Sequence, residues 1–165
     1  MQFDKKIENI IFNKAKLVDF REKCRKKSKK VVFASGVYDI LHVGHLKSLE
    51  RAKKCGDILI VGINNDDFAK TKGANRPIQN EFNRAFLIAG FECVNGVYIF
   101  GEENLEILRF LQPDVYIMST TSTKKPRDRK NEFEYMKKIG GKVIVFDAFS
   151  TSHSTLIIEQ LNTSI

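Results

Sequence analysis

Five short apolar runs recur along the chain: 31–35, 58–61, 96–100, 115–118 and 143–146. Each is four or five residues long, rich in valine, isoleucine and aromatic residues, and apolar at consecutive positions instead of at alternate ones. A run of that kind reads as a strand buried on both faces. Between the runs lie segments with helical spacing. They are 46–55, then 80–90 with Asn80 as its cap and Phe82, Ala85, Phe86 and Ile88 inward, then 103–111, then 129–139 stopped by Gly140-Gly141. A helix is also expected over 4–28, with Ile7, Ile10, Ile11, Ala15 and Val18 as its stripe, and another from Ser154. Strands covered on both faces and alternating with helices demand a parallel sheet with helices on each side. The expectation is an α/β fold, Rossmann-like, with a doubly wound five-stranded parallel sheet. A helical extension over 1–29 packs on a domain spanning 30–165.

Ligands on such sheets bind beyond the carboxyl ends of the strands. Four stretches emerge there: the segment after the first strand, 64–79, 119–125 and 149–155. The first of these, SGVYDILHVGH (35–45), sets His42 and His45 three residues apart at the mouth of a helix. Residues i and i+3 share a helix face. The unpaired N–H groups and the positive end of the helix dipole favour an anion. Gly44 lets the backbone come close to that anion. A polyphosphate fits best. The competing readings are two capping or packing histidines, or a metal pair. Zinc wants a third protein ligand, and His153, Cys24, Cys55 and Cys93 show no ligand spacing.

The chain has 165 residues, 42% hydrophobic and 29% charged, the profile of one globular domain. No apolar stretch is long enough for a bilayer, and the start, MQFDKKIENIIFNKAK, lacks the apolar core of a signal peptide. Three scattered cysteines point to reduced thiols and a cytoplasmic setting. The net charge of +8 sits mainly in Arg21–Lys30 and Lys124–Lys130. Neither cluster is interleaved with aromatic residues, so nucleic acid is not the expected partner, and no membrane is expected either. The first cluster reads as solvated surface. For the second, a solvated loop and a loop leaning toward an anionic substrate both stay open.

On these residues the chain resembles the cytidylyltransferase-like nucleotidyltransferases, whose hallmark is HxGH after the first strand. SGVYDILHVGH, GDILIVGINNDD (56–67), KGANRPI (72–78) with Arg84, PDVYI (113–117), GGKVIVF (140–146) and Ser154-Thr155 match in order. Together they resemble the bacterial heptose 1-phosphate adenylyltransferase branch, which makes ADP-heptose. The resemblance implies the HxGH form of the Rossmann-like fold and attack of a sugar or polyol phosphate on a nucleoside triphosphate, with release of pyrophosphate. The favoured pair is ATP with a heptose 1-phosphate, in the making of lipopolysaccharide or another cell-surface polysaccharide.

The implied site has His42, His45 and Lys72 as catalytic residues. Val37, Tyr38, His42, Gly44, His45, Ser154 and Thr155 bind nucleotide, and Lys72 and Arg84 hold the substrate phosphate. The resemblance also implies Mg2+ with the triphosphate, no dedicated protein metal site, and a homodimer. Asp39 is the one nearby carboxylate, either near the metal or making a structural hydrogen bond to the loop. Arg84 could equally be a surface salt-bridge former, and Ser154-Thr155 could simply cap the last helix. The branch usually carries a lysine and a Gly-Gly-Asp step after the fourth strand. Here Met118-Ser119-Thr120-Thr121 stands there, which leaves CTP with glycerol 3-phosphate or a related alcohol phosphate as the second reading. A non-catalytic nucleotide-binding regulator is the third.

Overall fold

A computed structural model of the chain describes residues 5, 7–73, 75–101, 103–119 and 129–147. Its centre is an all-parallel sheet of six strands. They are β1 (Ile11–Phe12), β2 (Val31–Gly36), β3 (Ile58–Asn64), β4 (Gly96–Phe100), β5 (Val115–Ser119) and β6 (Lys142–Phe146), in the order β1-β4-β3-β2-β5-β6. The chain therefore winds outward in both directions from β2, as expected for a doubly wound sheet. All six pair in parallel, with Val31 opposite Ile58 and Val32 opposite Val115.

The helices are α1 (Lys14–Lys26), α2 (Val43–Lys53), α3 (Asp66–Lys70), α4 (Glu81–Ala89), α5 (Asn104–Leu111) and α6 (Lys130–Lys138). Alternate strand residues feed two cores. Val32, Ala34, Leu59, Val61 and Ile117 pack with Leu49 and Ala52 of α2 and with Ala85 and Ile88 of α4. Val31, Phe33, Ile60, Tyr116 and Met118 pack with Leu17 and Cys24 of α1, Ile107 and Leu111 of α5, and Met136 of α6. Both faces being buried explains why the strands read as unbroken apolar runs.

Three expectations change. The sheet has six strands, not five. The extra one, β1, comes from the stretch expected to be wholly helical: Ile11 and Phe12 pair with Val97 and Tyr98 at the sheet edge, and Asn13 then caps α1 by accepting from the Lys16 N–H. The buried side of α1 is Leu17, Arg21 and Cys24. In α4, Phe82 points outward at 69% exposure, while Arg84 is fully buried. An apolar residue stands in water and a cation in the core, the reverse of what periodicity alone suggests.

The stop after α6 is as expected, with Gly140 in the left-handed region at φ 74°. No helix among the described residues is long and apolar enough to cross a membrane.

Candidate functional site

The carboxyl edge of β2 passes into a tight loop whose shape is set by Tyr38. Its φ is 54°, in the left-handed region that a bulky residue adopts only under constraint. The ring folds back over Gly36, where an added Cβ would meet it at 3.0 Å and press it away. Burial holds the Tyr38 hydroxyl well above the usual phenol range, which keeps it neutral. The edge of the Tyr38 ring meets His45, with centroids 5.3 Å apart.

His42 is the N-cap of α2. Its Nδ1 accepts from the Gly44 N–H at 3.1 Å, and the His45 Nδ1 accepts from the His42 N–H at 3.4 Å. The two rings lie 4.0 Å apart, tilted by 35°. A ring nitrogen that accepts carries no proton, so each neutral imidazole bears its hydrogen on Nε2. The capping reading and the ligand reading are thus compatible: the cap uses Nδ1 and puts the hydrogen of each neutral ring on Nε2. Gly44 is buried, and its N–H serves the cap.

Beneath this loop lies Arg84, 0% exposed. Its Nε donates to the Gln79 carbonyl (2.9 Å), Nη1 to the carbonyls of Val37 (2.5 Å) and Asn64 (2.8 Å), and Nη2 to Asp66 Oδ1 (2.7 Å). One guanidinium therefore ties the β2 loop, the end of β3, the start of α3 and the entry to α4. This places Arg84 as a positioning residue, neither a surface ion pair nor a group reaching for substrate phosphate. Asp39 reinforces it. Only 2% exposed, its carboxylate accepts from Arg76 Nη1 (3.0 Å) and from the N–H groups of Ile78 (2.8 Å) and Gln79 (3.0 Å). Of its two expected roles, the structure shows the bond to the loop.

Lys72 follows α3 on the adjacent connection, exposed, with Nζ 4.7 Å from the centre of the Phe68 ring. α3 itself went unread in the sequence. Its signal is Asn65 before Asp66-Asp67: the Asn65 side chain accepts from the Phe68 N–H, and the acids lie in the first turn. Across the edge, the Ser35 hydroxyl donates to Asn104 Oδ1, and Tyr116 bridges Arg129 and Glu132. Arg129 of the second basic cluster is thus held inside a protein network. Thr120, Thr121, Lys124, Lys125, Arg127, His153, Ser154 and Thr155 lie outside the described residues.

No group of three or more His, Cys, Asp or Glu able to hold a metal occurs among the described residues. Cys24, Cys55 and Cys93 are free, and burial pushes the Cys24 and Cys93 thiols up, away from the thiolate form.

The family model described as cytidylyltransferase-like matches residues 33–160. A bifunctional protein HldE of Campylobacter jejuni subsp. doylei is 42% identical over 142 residues, covering 83% of this chain and 29% of that protein. Another, from C. jejuni strain RM1221, is 39% identical over 98% of this chain and 32% of its own length. The chain therefore spans about a third of these relatives. Among solved structures, a lipopolysaccharide core biosynthesis protein from Thermoplasma volcanium superposes with a TM-score of 0.61 at 26% identity, over 75% of this chain and 99% of that one.

Arg84→Lys retains the charge but cannot span four acceptors. It is expected to lower unfolding free energy by about 3 kcal/mol, the range for disrupting a buried ion pair. Denaturant titration checks this, and a loss near zero would show that the guanidinium does not hold the loops.

Proposed function

The chain belongs to the cytidylyltransferase-like family, and on that premise we propose that it is a nucleotidyltransferase transferring AMP from ATP to a heptose 1-phosphate. One observation carries the reading: two imidazoles face each other, tilted by 35°, at the mouth of α2, each with Nδ1 committed to the backbone, which makes Nε2 its donor nitrogen. Donors fixed before substrate arrives stabilise charge developing on phosphoryl oxygens without reorganisation. The names of the relatives support the acceptor. They are HldE proteins and a lipopolysaccharide core biosynthesis protein.

In this reading an oxygen of the acceptor phosphate attacks the α-phosphorus of ATP. The bond from the α-phosphorus to the bridging oxygen breaks, and pyrophosphate leaves with the electron pair. His42 and His45 donate Nε2–H to the α-phosphoryl oxygens and the leaving group. The backbone at Val37 and Tyr38, shaped by the left-handed Tyr38 and anchored through the Val37 carbonyl to Arg84, cradles the nucleotide. Lys72, on an exposed turn, neutralises the acceptor phosphate. Arg84 acts through the loops it holds. Ser154 and Thr155 are proposed as donors to the β- and γ-phosphates by resemblance. Mg2+ arrives on the triphosphate as part of the substrate. Asp39, the one nearby carboxylate, is already taken up by Arg76, Ile78 and Gln79. Free thiols and the use of ATP support a cytoplasmic setting.

We also propose a homodimer. Val43 (58% exposed), Leu46 (37%), Ile78 (58%) and Phe82 (69%) stand around the site mouth, in the first turns of α2 and α4 and on the loop that Asp39 anchors. Apolar groups clustered at a surface seek a partner.

His42→Asn separates the two uses of the ring, because asparagine is a strong N-cap but lacks Nε2–H. Pyrophosphate release from ATP and heptose 1-phosphate is expected to fall roughly 10²- to 10³-fold, with unfolding free energy near wild type. Undiminished turnover would overturn the proposal. A preference for CTP with glycerol 3-phosphate would replace it with the second reading. Phe82→Lys is expected to shift sedimentation from dimer to monomer, and a wild-type monomer would end the dimer reading.

A further inference from the structure

In a parallel α/β sheet every crossover helix runs back against the strands, so helix C-termini and strand starts gather at one end. In this chain that end, opposite the site, is strongly basic. Arg25 and Lys26 finish α1, with Lys27, Lys29 and Lys30 leading into β2; Lys137 and Lys138 finish α6, and Lys142 opens β6. The register places these starts level, with β2 opposite β3 and β5, and Val115 opposite Lys142. A cavity of about 180 Å³ between the ends of α1 and α6, lined by Arg21, Arg25, Gln112, Asp114 and Gly141, shows that the two helix ends flank one surface.

The acids that flank these cations are matched, Glu22 with Arg25, Asp57 with Lys29 at 3.7 Å and Asp114 with Arg21 at 3.2 Å, while Glu92, between α4 and β4 at the same end, is exposed and enters no ion pair among the described residues. Lys26, Lys27, Lys30, Lys137, Lys138 and Lys142 are exposed and enter no ion pair among the described residues. Complementing helix dipoles accounts for a cation or two in a last turn. It does not account for Lys27, Lys30 and Lys142, which lie outside the helices.

We propose that this lysine-rich end is a docking surface for an anionic phospholipid bilayer. Three features favour a bilayer over a nucleic acid. Arg25 apart, the exposed cations at the ends of α1 and α6 and at the starts of β2 and β6 are lysines, compact point charges. Arg21 is turned inward onto the Leu111 and Gln112 carbonyls, and Arg25, although exposed, has its rigid fork engaged by Glu22 and Gln112 Oε1. The helices present their carbonyl ends here, so no helix N-terminus is offered to a duplex phosphate. None of the exposed large apolar residues belongs to the last turns of α1 or α6, so attachment is electrostatic and reversible by salt. The absence of a spanning segment, on which the sequence expectation of no membrane partner rested, does not bear on surface charge.

The test is co-sedimentation of the full chain with vesicles of phosphatidylcholine alone, or with about 30% phosphatidylglycerol, at about 50 mM and about 500 mM salt. Binding is expected only to the anionic vesicles and only at low salt. Each lysine at such a surface contributes roughly fivefold, so Lys26→Gln/Lys27→Gln/Lys30→Gln is expected to weaken partition on the order of 100-fold while nucleotidyl transfer stays unchanged. The control Lys14→Gln/Lys16→Gln/Lys47→Gln removes the same charge away from this end and is expected to bind as wild type. The proposal is overturned by no binding to anionic vesicles, by equal weakening in both variants, or by duplex DNA displacing the protein from vesicles.

Discussion

One buried guanidinium organises the carboxyl edge of the sheet. Arg84 reaches backbone carbonyls at Val37, Asn64 and Gln79 and the carboxylate of Asp66. These acceptors belong to three separate connections, the β2 loop, the β3–α3 junction and the entry to α4, and the three carbonyls would be wholly or partly buried without this partner if the cation were absent. Leaving such groups unpaired carries a penalty of roughly 1–3 kcal/mol apiece. The loops at this edge therefore stand or fall together. Asp39 extends the same principle with opposite charge, drawing Arg76, Ile78 and Gln79 onto the β2 loop.

That scaffold fixes the backbone on either side of Tyr38, and Tyr38 in turn sets its ring against His45. The imidazoles complete a chain of constraint that starts in the core and ends at solvent. Each ring gives one nitrogen to the protein, which orients the other. A helix mouth alone attracts anions weakly. With two oriented N–H donors added, it becomes a place where charge on a phosphoryl group is met by dipoles already in position.

Much of this was legible in the sequence because it follows from local rules. Double-sided apolar runs gave the parallel strands, and Gly140 gave the stop of α6 at positive φ. The HVGH segment revealed a helix mouth with two histidines from spacing alone. What escaped depends on tertiary packing. A two-residue strand such as Ile11–Phe12 has no periodicity to detect and exists because β4 offers an edge. Arg84 was read as a ligand group or a surface ion pair because a cation on a helix is normally exposed; nothing local announces four acceptors converging on it, three of them from 18 to 47 residues away. Phe82 was read inward by the same pattern, yet the side of α4 facing the sheet is taken by Arg84, Ala85 and Ile88. Asn65 before Asp66-Asp67 was a readable start for α3, outweighed by the glycine and proline that follow.

Everything at the site rests on which ring nitrogen carries the proton. Two-bond 15N–1H correlation of the histidine side chains reads this directly, at a pH of about 8 where unperturbed imidazoles are neutral, with His42 and His45 assigned through their variants. Both rings are expected to show Nδ1 as the unprotonated nitrogen and Nε2 as the protonated one, with the Nε2 resonances moving on addition of MgATP. A proton on Nδ1 of either ring would contradict the capping geometry and remove the donor pair from which the chemistry follows.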